Sequence, residues 1–278
     1  MATARTPIPH ETSGLAVPSA ALPVPGDSYV QSFARGLAVI RTFSAQSPSQ
    51  TLSEVAGHAQ LTRAGARRIL LTLQTLGYVQ SDGKLFRLTP RILDLGFAYL
   101  SSLPLWNLAE PVMEALVAQI KESCSAAVLD GTDIVYVLRV PTHKIMSISL
   151  GVGSRLPAYC TSMGRMLLSA MTPEAMMNVL QAADRTARTR YTVTDVNELA
   201  ATIAQVRRQG WAMVDQELEE GLVSMAAPVT DRSGQTIAAI NISGQANRTS
   251  AQVMQETMLA PLLAAAQSIS TRLALQRS

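Results

Sequence analysis

The sequence predicts an α+β chain in two parts: three short helices with a hairpin, then a helical linker into a larger domain built on a central antiparallel sheet. Three observations lead there. At 278 residues the chain exceeds one typical domain, and each half is long enough to bury its own core. Apolar residues recur at helical spacing between about residues 33 and 73 and are followed by two short extended runs around a turn. Beyond residue 122 the order becomes strands, helices, then strands again.

Residues 1–28 are rich in Pro, Ala, Ser and Thr without apolar periodicity, which predicts a disordered tail. From Tyr29 the pattern changes. Phe33, Leu37, Ile40 and Phe43 mark a first amphipathic helix that ends before the Ser47-Pro48-Ser49 turn. A second starts after Thr51, with Val55 and Ala56 facing inward, and closes at Gln60 and Leu61. Thr62 then caps a third helix over 63–76, whose apolar face is Ala66, Ile69, Leu70 and Leu73. Runs at 78–81 and 85–88, joined by Asp82-Gly83, form a hairpin. Three helices and a two-stranded wing are the winged helix-turn-helix order, so residues 29–89 form the first domain. Thr89-Pro90 opens another helix, and 90–122 read as a helical linker. The second domain spans 123–278, with strands at 125–129, 133–140 and 145–150, helices at about 162–171, from 172 and at 195–209, strands at 212–215, 225–230 and 237–242, and a closing helix from Thr249.

A composition of 47% hydrophobic and 15% charged residues fits a globular protein. No apolar run reaches the roughly 18 residues of a membrane span and no signal sequence opens the chain, which predicts a cytoplasmic protein. Two cysteines, Cys124 and Cys160, make no disulfide framework.

The formal net charge is only +3, but its distribution is uneven. Residues 29–91 hold eight basic side chains against two acidic ones, whereas the 187 residues beyond hold fourteen against sixteen. A polyanion met by the first domain alone explains this, as does a merely solvated basic face. A helix entering the major groove needs a short polar start, basic residues on its exposed face and an apolar face on its scaffold. The third helix has all three. Arg63 and Arg67, four residues apart, share a face and suit guanine edges or phosphates, and Thr62 suits a phosphate or a thymine methyl. Arg68, with Lys84 and Arg87 of the wing, suits phosphate positioning, and Ser32 and Arg35 add a clamp from the first helix. A winged-helix module for protein partners is the alternative use of the same elements.

In the second domain, LPAYCTSMGR (156–165) ends a strand and begins a helix, so the backbone N–H groups of Thr161, Ser162 and Met163 stand at a helix N-terminus that attracts a carboxylate. An ordinary N-cap by Thr161 is the other reading of the same residues. Asp215 and Glu217 alternate along an extended segment and are expected on one face, where they could take a ligand hydroxyl or accept from an arginine. Ser224, Asn241 and Ser243 are polar residues in apolar strands, facing either a pocket or solvent. His10, His58 and His143 are too far apart in the chain to suggest a metal site, and no cofactor motif appears. Cys160 near a helix start could be a nucleophile, but no histidine can be assigned as its base, so an enzyme with a vestigial DNA-binding segment is the rival reading.

The stretches YVQSFARGLAVIRTF, LTRAGARRILLTLQTLGYV, LPAYCTSMGRMLLSAM and GWAMVDQELEEGLVSMAAPVTDRSG resemble the IclR family of bacterial regulators, and YVQSFARGLAVI resembles the branch that controls protocatechuate and 4-hydroxybenzoate catabolism in the β-ketoadipate pathway. The resemblance implies a winged helix-turn-helix joined by a helix to a GAF-like effector domain, working as a homodimer or homotetramer on double-stranded DNA. It implies an effector over Thr161, Ser162 and Met163, bounded by Asp215, Glu217, Ser224, Asn241 and Ser243. Protocatechuate, 4-hydroxybenzoate and β-ketoadipate are the candidate effectors, with activation the expected sign. Ser224 stands where a cysteine occurs in some relatives and Asn241 where a serine does, so ligand identity does not carry across.

Overall fold

The computed structural model describes residues 26–102, 105–142 and 150–275, which form two compact units divided between residues 103 and 104. Nearly all of the expected tail, the expected strand at 145–150 except Leu150, and His10 and His143 lie outside the described residues.

The N-terminal unit begins with α1 (Gln31–Arg41), then β1 (Gln50–Thr51), α2 (Leu52–His58), α3 (Arg63–Thr75), β2 (Val79–Ser81) and β3 (Leu85–Leu88). The start of α2 is fixed by a reciprocal cap: Glu54 N–H donates to Thr51 Oγ1, and Thr51 N–H donates to the Glu54 carboxylate at 2.7 Å. The Thr51 N–H and hydroxyl, both donating to the Glu54 carboxylate, hold that carboxyl below its usual range. The connection to α3 turns at Gln60, in the left-handed region at φ 54°, and Thr62 caps α3 by accepting from Gly65 N–H at 3.1 Å. At the wing tip Asp82 Oδ1 accepts from the N–H groups of Lys84 and Leu85, and Gly83 supplies the positive φ of 97° that the turn requires. β1 pairs with the outer side of β3, a third strand that the two-stranded wing had not included.

Val39, Val55, Leu70, Leu73 and Val79 form this unit's core. The first helix departs from expectation on one side. Phe33 is 68% exposed and Leu37 40%, so α1 anchors through Val39 and Ile40, with Phe43 packing just beyond its end, and leaves the rest of its apolar stripe open. A 3-10 turn (Pro90–Ile92) and α4 (Leu93–Ser102) follow, with Thr89 Oγ1 capping Arg91 N–H.

The C-terminal unit runs through α5 (Leu105–Ile120), β4 (Ser123–Asp130), β5 (Asp133–Val140), β6 (Arg155–Pro157), α6 (Ser162–Ser169), α7 (Pro173–Ala182), α8 (Val196–Gln209), β7 (Ala212–Asp215), β8 (Leu222–Thr230), β9 (Thr236–Gln245) and α9 (Ala251–Leu275). One antiparallel sheet holds six strands in the order β6-β5-β4-β9-β8-β7. The alternation of a strand puts Ala239, Asn241 and Ser243 on the face that α6 covers and fully buried Ile240 and Ile242 on the other. Helix α6 lies across the centre of the sheet, backed by α8, while α5 and α9 pack on each other and on β4 and β8. By length and mean hydropathy α9 meets the test for a membrane span, yet Leu262, Ala266 and Ile269 are buried within this unit.

Helix α6 owes its position to Gly164. A Cβ there would lie 2.2 Å from the Ala158 carbonyl oxygen and 2.3 Å from Ala158 Cα, so only glycine lets the helix meet the preceding turn backbone to backbone.

Candidate functional site

Every cationic residue singled out in the N-terminal unit is on its surface or near it. Arg63, Arg67 and Arg68 are exposed on α3, Ser32 and Arg35 on α1, and Lys84 at the wing tip. Among the described residues, none of Arg35, Arg63, Arg67, Arg68 and Lys84 pairs with a carboxylate. Arg87 does, reaching Asp82 at 3.2 Å with both side chains nearly half exposed. Such a pair is worth about 0–1 kcal/mol and yields readily to a phosphate. The residues divide between two flanks. Arg63 and Arg67 follow one line of α3, whereas Ser32, Arg35, Thr62 and Arg68 surround a groove of about 930 Å³ between α1 and α3.

In the C-terminal unit a small cavity of about 20 Å³ opens against the start of α6. Thr161, Ser162 and Met163 line it from the helix, and Ser224, Asn241 and Ser243 from β8 and β9. Ser224 and Ser243 face each other in register across the two strands. The structure thus brings together six of the eight candidate residues. Thr161 is the N-cap: its hydroxyl donates to the Pro157 carbonyl at 2.9 Å and accepts from Gly164 N–H at 3.2 Å, so its side chain is spent locally. The N–H groups of Ser162 and Met163, at the first two positions of the helix, have no acceptor among the described residues. Two side-chain atoms on the same cavity, Ser162 Oγ and Asn241 Oδ1, are buried and likewise unpartnered.

Asp215 and Glu217 are not on one face. Gln216 adopts φ 60°, which ends the extended alternation between them, so Asp215 is exposed at the end of β7 and Glu217 turns inward. There its carboxylate meets Arg165 Nη2 at 2.6 Å and accepts from Val193 N–H at 3.0 Å. Neither acid lines the cavity. Arg165, whose Nε donates to the Tyr159 carbonyl at 2.8 Å, was missed in the sequence although the signal was there: one cation in the otherwise uncharged helix SMGRMLLS needs a buried partner. The pair ties α6 to the turn after β7. With that guanidinium committed, no cationic side chain lines the cavity among the described residues, and an anion there would rest on the helix end.

Tyr136, Cys160, Leu218 and Leu222 complete much of the wall; Tyr136 and Leu222 were missed because strand patterning does not say which inward residue meets a cavity, Leu218 because it lies in the turn after β7, and Cys160 had been weighed only as a nucleophile. Burial pushes the Tyr136 phenol up to about 12 and the Cys160 thiol up to about 11, so both stay protonated at neutral pH. A thiol held in that form is a packing group rather than a nucleophile.

Comparison with known proteins accords with this geometry. The family described as Bacterial transcriptional regulator IclR C-terminal matches residues 97–271, and the IclR helix-turn-helix domain matches residues 32–83. A Pca regulon regulatory protein of Pseudomonas putida is 44% identical over 88% of this chain and 84% of its own. A p-hydroxybenzoate hydroxylase transcriptional activator of Acinetobacter baylyi is 34% identical over 90% of this chain and 93% of its own. The crystal structure of an IclR homolog from Microbacterium hydrocarbonoxydans, complexed with 4-hydroxybenzoate, superposes with a TM-score of 0.78 at 27% identity, covering 88% of this chain and all of that one. With both of its domains matched, the chain belongs to the IclR family of bacterial transcriptional regulators, DNA-binding transcription factors rather than enzymes.

Proposed function

We propose that this protein controls genes of aromatic-acid catabolism in the bacterial cytoplasm, binding double-stranded DNA through its N-terminal unit and a small aromatic carboxylate in the cavity at the start of α6. The observation that carries the effector half is the meeting of unpaired donors at one place: the N–H groups of Ser162 and Met163 and the buried hydroxyl of Ser162 all border one cavity, and an anion satisfies them together. At about 20 Å³ the cavity holds little more than a water molecule, so an aromatic acid enters only as the walls part.

On the DNA side, we assign base-edge contacts to Arg63 and Arg67, exposed four residues apart on α3, with Thr62 at the helix start. Arg68, Lys84, Ser32 and Arg35 supply phosphate contacts, and Arg87 joins them by exchanging Asp82 for a phosphate. Phe33, Leu93 and Phe97, each about two-thirds exposed, favour a homodimer or a dimer of dimers, since a monomer gains nothing by leaving them in water. Activation is the sign we carry forward, after the Acinetobacter relative named an activator. The effector acts by binding one DNA-affinity state of the protein better than another.

Fluorescence anisotropy of labelled DNA from upstream of this gene and its neighbours, at several salt concentrations, tests the reading with protocatechuate, 4-hydroxybenzoate and β-ketoadipate. Binding to one fragment over random DNA, falling steeply with salt and shifted by one acid, is the expected result. No preference for any fragment under any acid overturns it.

A further inference from the structure

The two unpartnered atoms of the cavity make opposite demands. The first turn of α6, with its free N–H groups and the Ser162 hydroxyl, attracts an anion. Asn241 Oδ1 is a carbonyl oxygen, which only accepts. It sits on β9, where Asn241 is 5% exposed and pairs with Ala226 on β8 and Ser125 on β4, and it accepts from no donor among the described residues. A buried acceptor left without a donor is costly, and a ligand that brings the donor recovers that cost. The same cavity is also walled by the apolar and aromatic side chains of Met163, Leu222 and Tyr136. A molecule that meets all three features carries a carboxylate, an aromatic ring and a hydroxyl on the ring.

We propose that Asn241 is the specificity-determining residue of this cavity, its Oδ1 accepting a hydrogen bond from a ring hydroxyl of an aromatic acid whose carboxylate rests on the start of α6. The inference depends on the effector reading above and narrows it to hydroxylated aromatic acids. Benzoate lacks the hydroxyl. β-Ketoadipate, a ketone flanked by two carboxylates at neutral pH, brings only acceptors and leaves Oδ1 unpaired. The opposite orientation of the amide would present its NH₂ and reverse that order.

Isothermal titration calorimetry of the full chain with 4-hydroxybenzoate, protocatechuate, benzoate and β-ketoadipate tests this. In the natural protein 4-hydroxybenzoate is expected to bind tighter than benzoate by roughly 5- to 150-fold, the range an unpaired buried polar group costs. In Asn241→Leu, and in Asn241→Ala as a smaller change that keeps the strand, the gap closes to about 2-fold through loss of hydroxybenzoate affinity rather than loss of all binding. Equal affinities for benzoate and 4-hydroxybenzoate in the natural protein, tighter binding of β-ketoadipate than of either, or a preference that survives in a folded variant would each overturn the assignment while leaving the cavity as the effector site. If none of the four acids binds, the effector reading itself falls and this inference with it.

Discussion

Replacing Gly164 by alanine should disable the C-terminal unit at the point where its fold and its cavity meet. The added Cβ would lie 2.2 Å from the Ala158 carbonyl oxygen, and ordinary contact begins near 3.4 Å, so helix and turn must part by about 1.2 Å. The same junction is spanned by the Arg165 Nε donation to the Tyr159 carbonyl at 2.8 Å and by the Thr161 hydroxyl on the Pro157 carbonyl at 2.9 Å, and that displacement takes both beyond hydrogen-bonding range. Overpacking costs about 1–3 kcal/mol and each of the two lost hydrogen bonds about 1, offset by about 1 kcal/mol from alanine's better helix propensity. A net loss of roughly 2–4 kcal/mol lowers the melting temperature by roughly 4–16 °C for a unit of this size. Gly57 on α2 is the control, because nothing lies within 4 Å of a Cβ placed there; Gly57→Ala should be neutral or slightly stabilising. Calorimetric melting and effector titration of both variants decide the matter. If Gly164→Ala melts like the natural protein and binds the effector equally well, α6 does not rest on the Ala158 backbone and the placement of the cavity is wrong.

The buried ion pair gives a second prediction. Glu217→Leu leaves the Arg165 guanidinium buried without a counter-charge and should cost about 3–5 kcal/mol in urea unfolding, most of it recovered in Arg165→Met with Glu217→Leu; additive losses would show that the pair is not coupled. At the wing, Lys84→Ala should reduce the salt slope of DNA binding by about 1 with sequence preference unchanged, whereas Arg63→Ala should relax preference at one base pair by about 1–3 kcal/mol. An unchanged slope removes Lys84 from the phosphate contacts. Burial raises the Cys160 thiol from 9.0 to about 11, so the unfolded chain loses this proton first. Its contribution to stability is therefore complete below pH 9 and drains away between pH 9 and 11. Cys160→Ser should flatten the decline of the urea midpoint over that interval, and an equally steep decline would count against it. Likewise, an iodoacetamide rate at pH 8 as fast in the folded protein as in urea would contradict a buried, protonated thiol.

Local signals in the sequence translated well into local structure. Thr51 with Glu54, Thr62 and Asp82-Gly83 each announce a cap or turn through chemistry confined to four residues, and each stands where that chemistry demands. Strand β1 was not legible, because two residues ahead of a helix cap carry no period of their own and gain strand character only by pairing with β3. Asp215 and Glu217 show the limit of alternation: a left-handed Gln216 reverses the direction of the next side chain, and nothing in its residue type forecasts that. Gly164 was equally silent, since the atom that forbids a side chain, the Ala158 carbonyl oxygen, comes near only through the tight turn between β6 and α6. Candidate residues on the helix start and the polar positions of β8 and β9 converged because a helix terminus and a polar residue in an apolar strand both report unmet hydrogen bonds.

Coupling between effector and DNA is the central claim, and reciprocity tests it most directly. An acid that changes DNA affinity by some factor must have its own affinity changed by DNA by that same factor, commonly about 5- to 150-fold. Calorimetric titration of 4-hydroxybenzoate into the protein, alone and saturated with its operator fragment, should give two dissociation constants whose ratio equals the shift that the acid produces in DNA anisotropy. Identical constants with and without DNA would show that the cavity and the DNA-binding unit act independently, and would contradict an effector-responsive regulator.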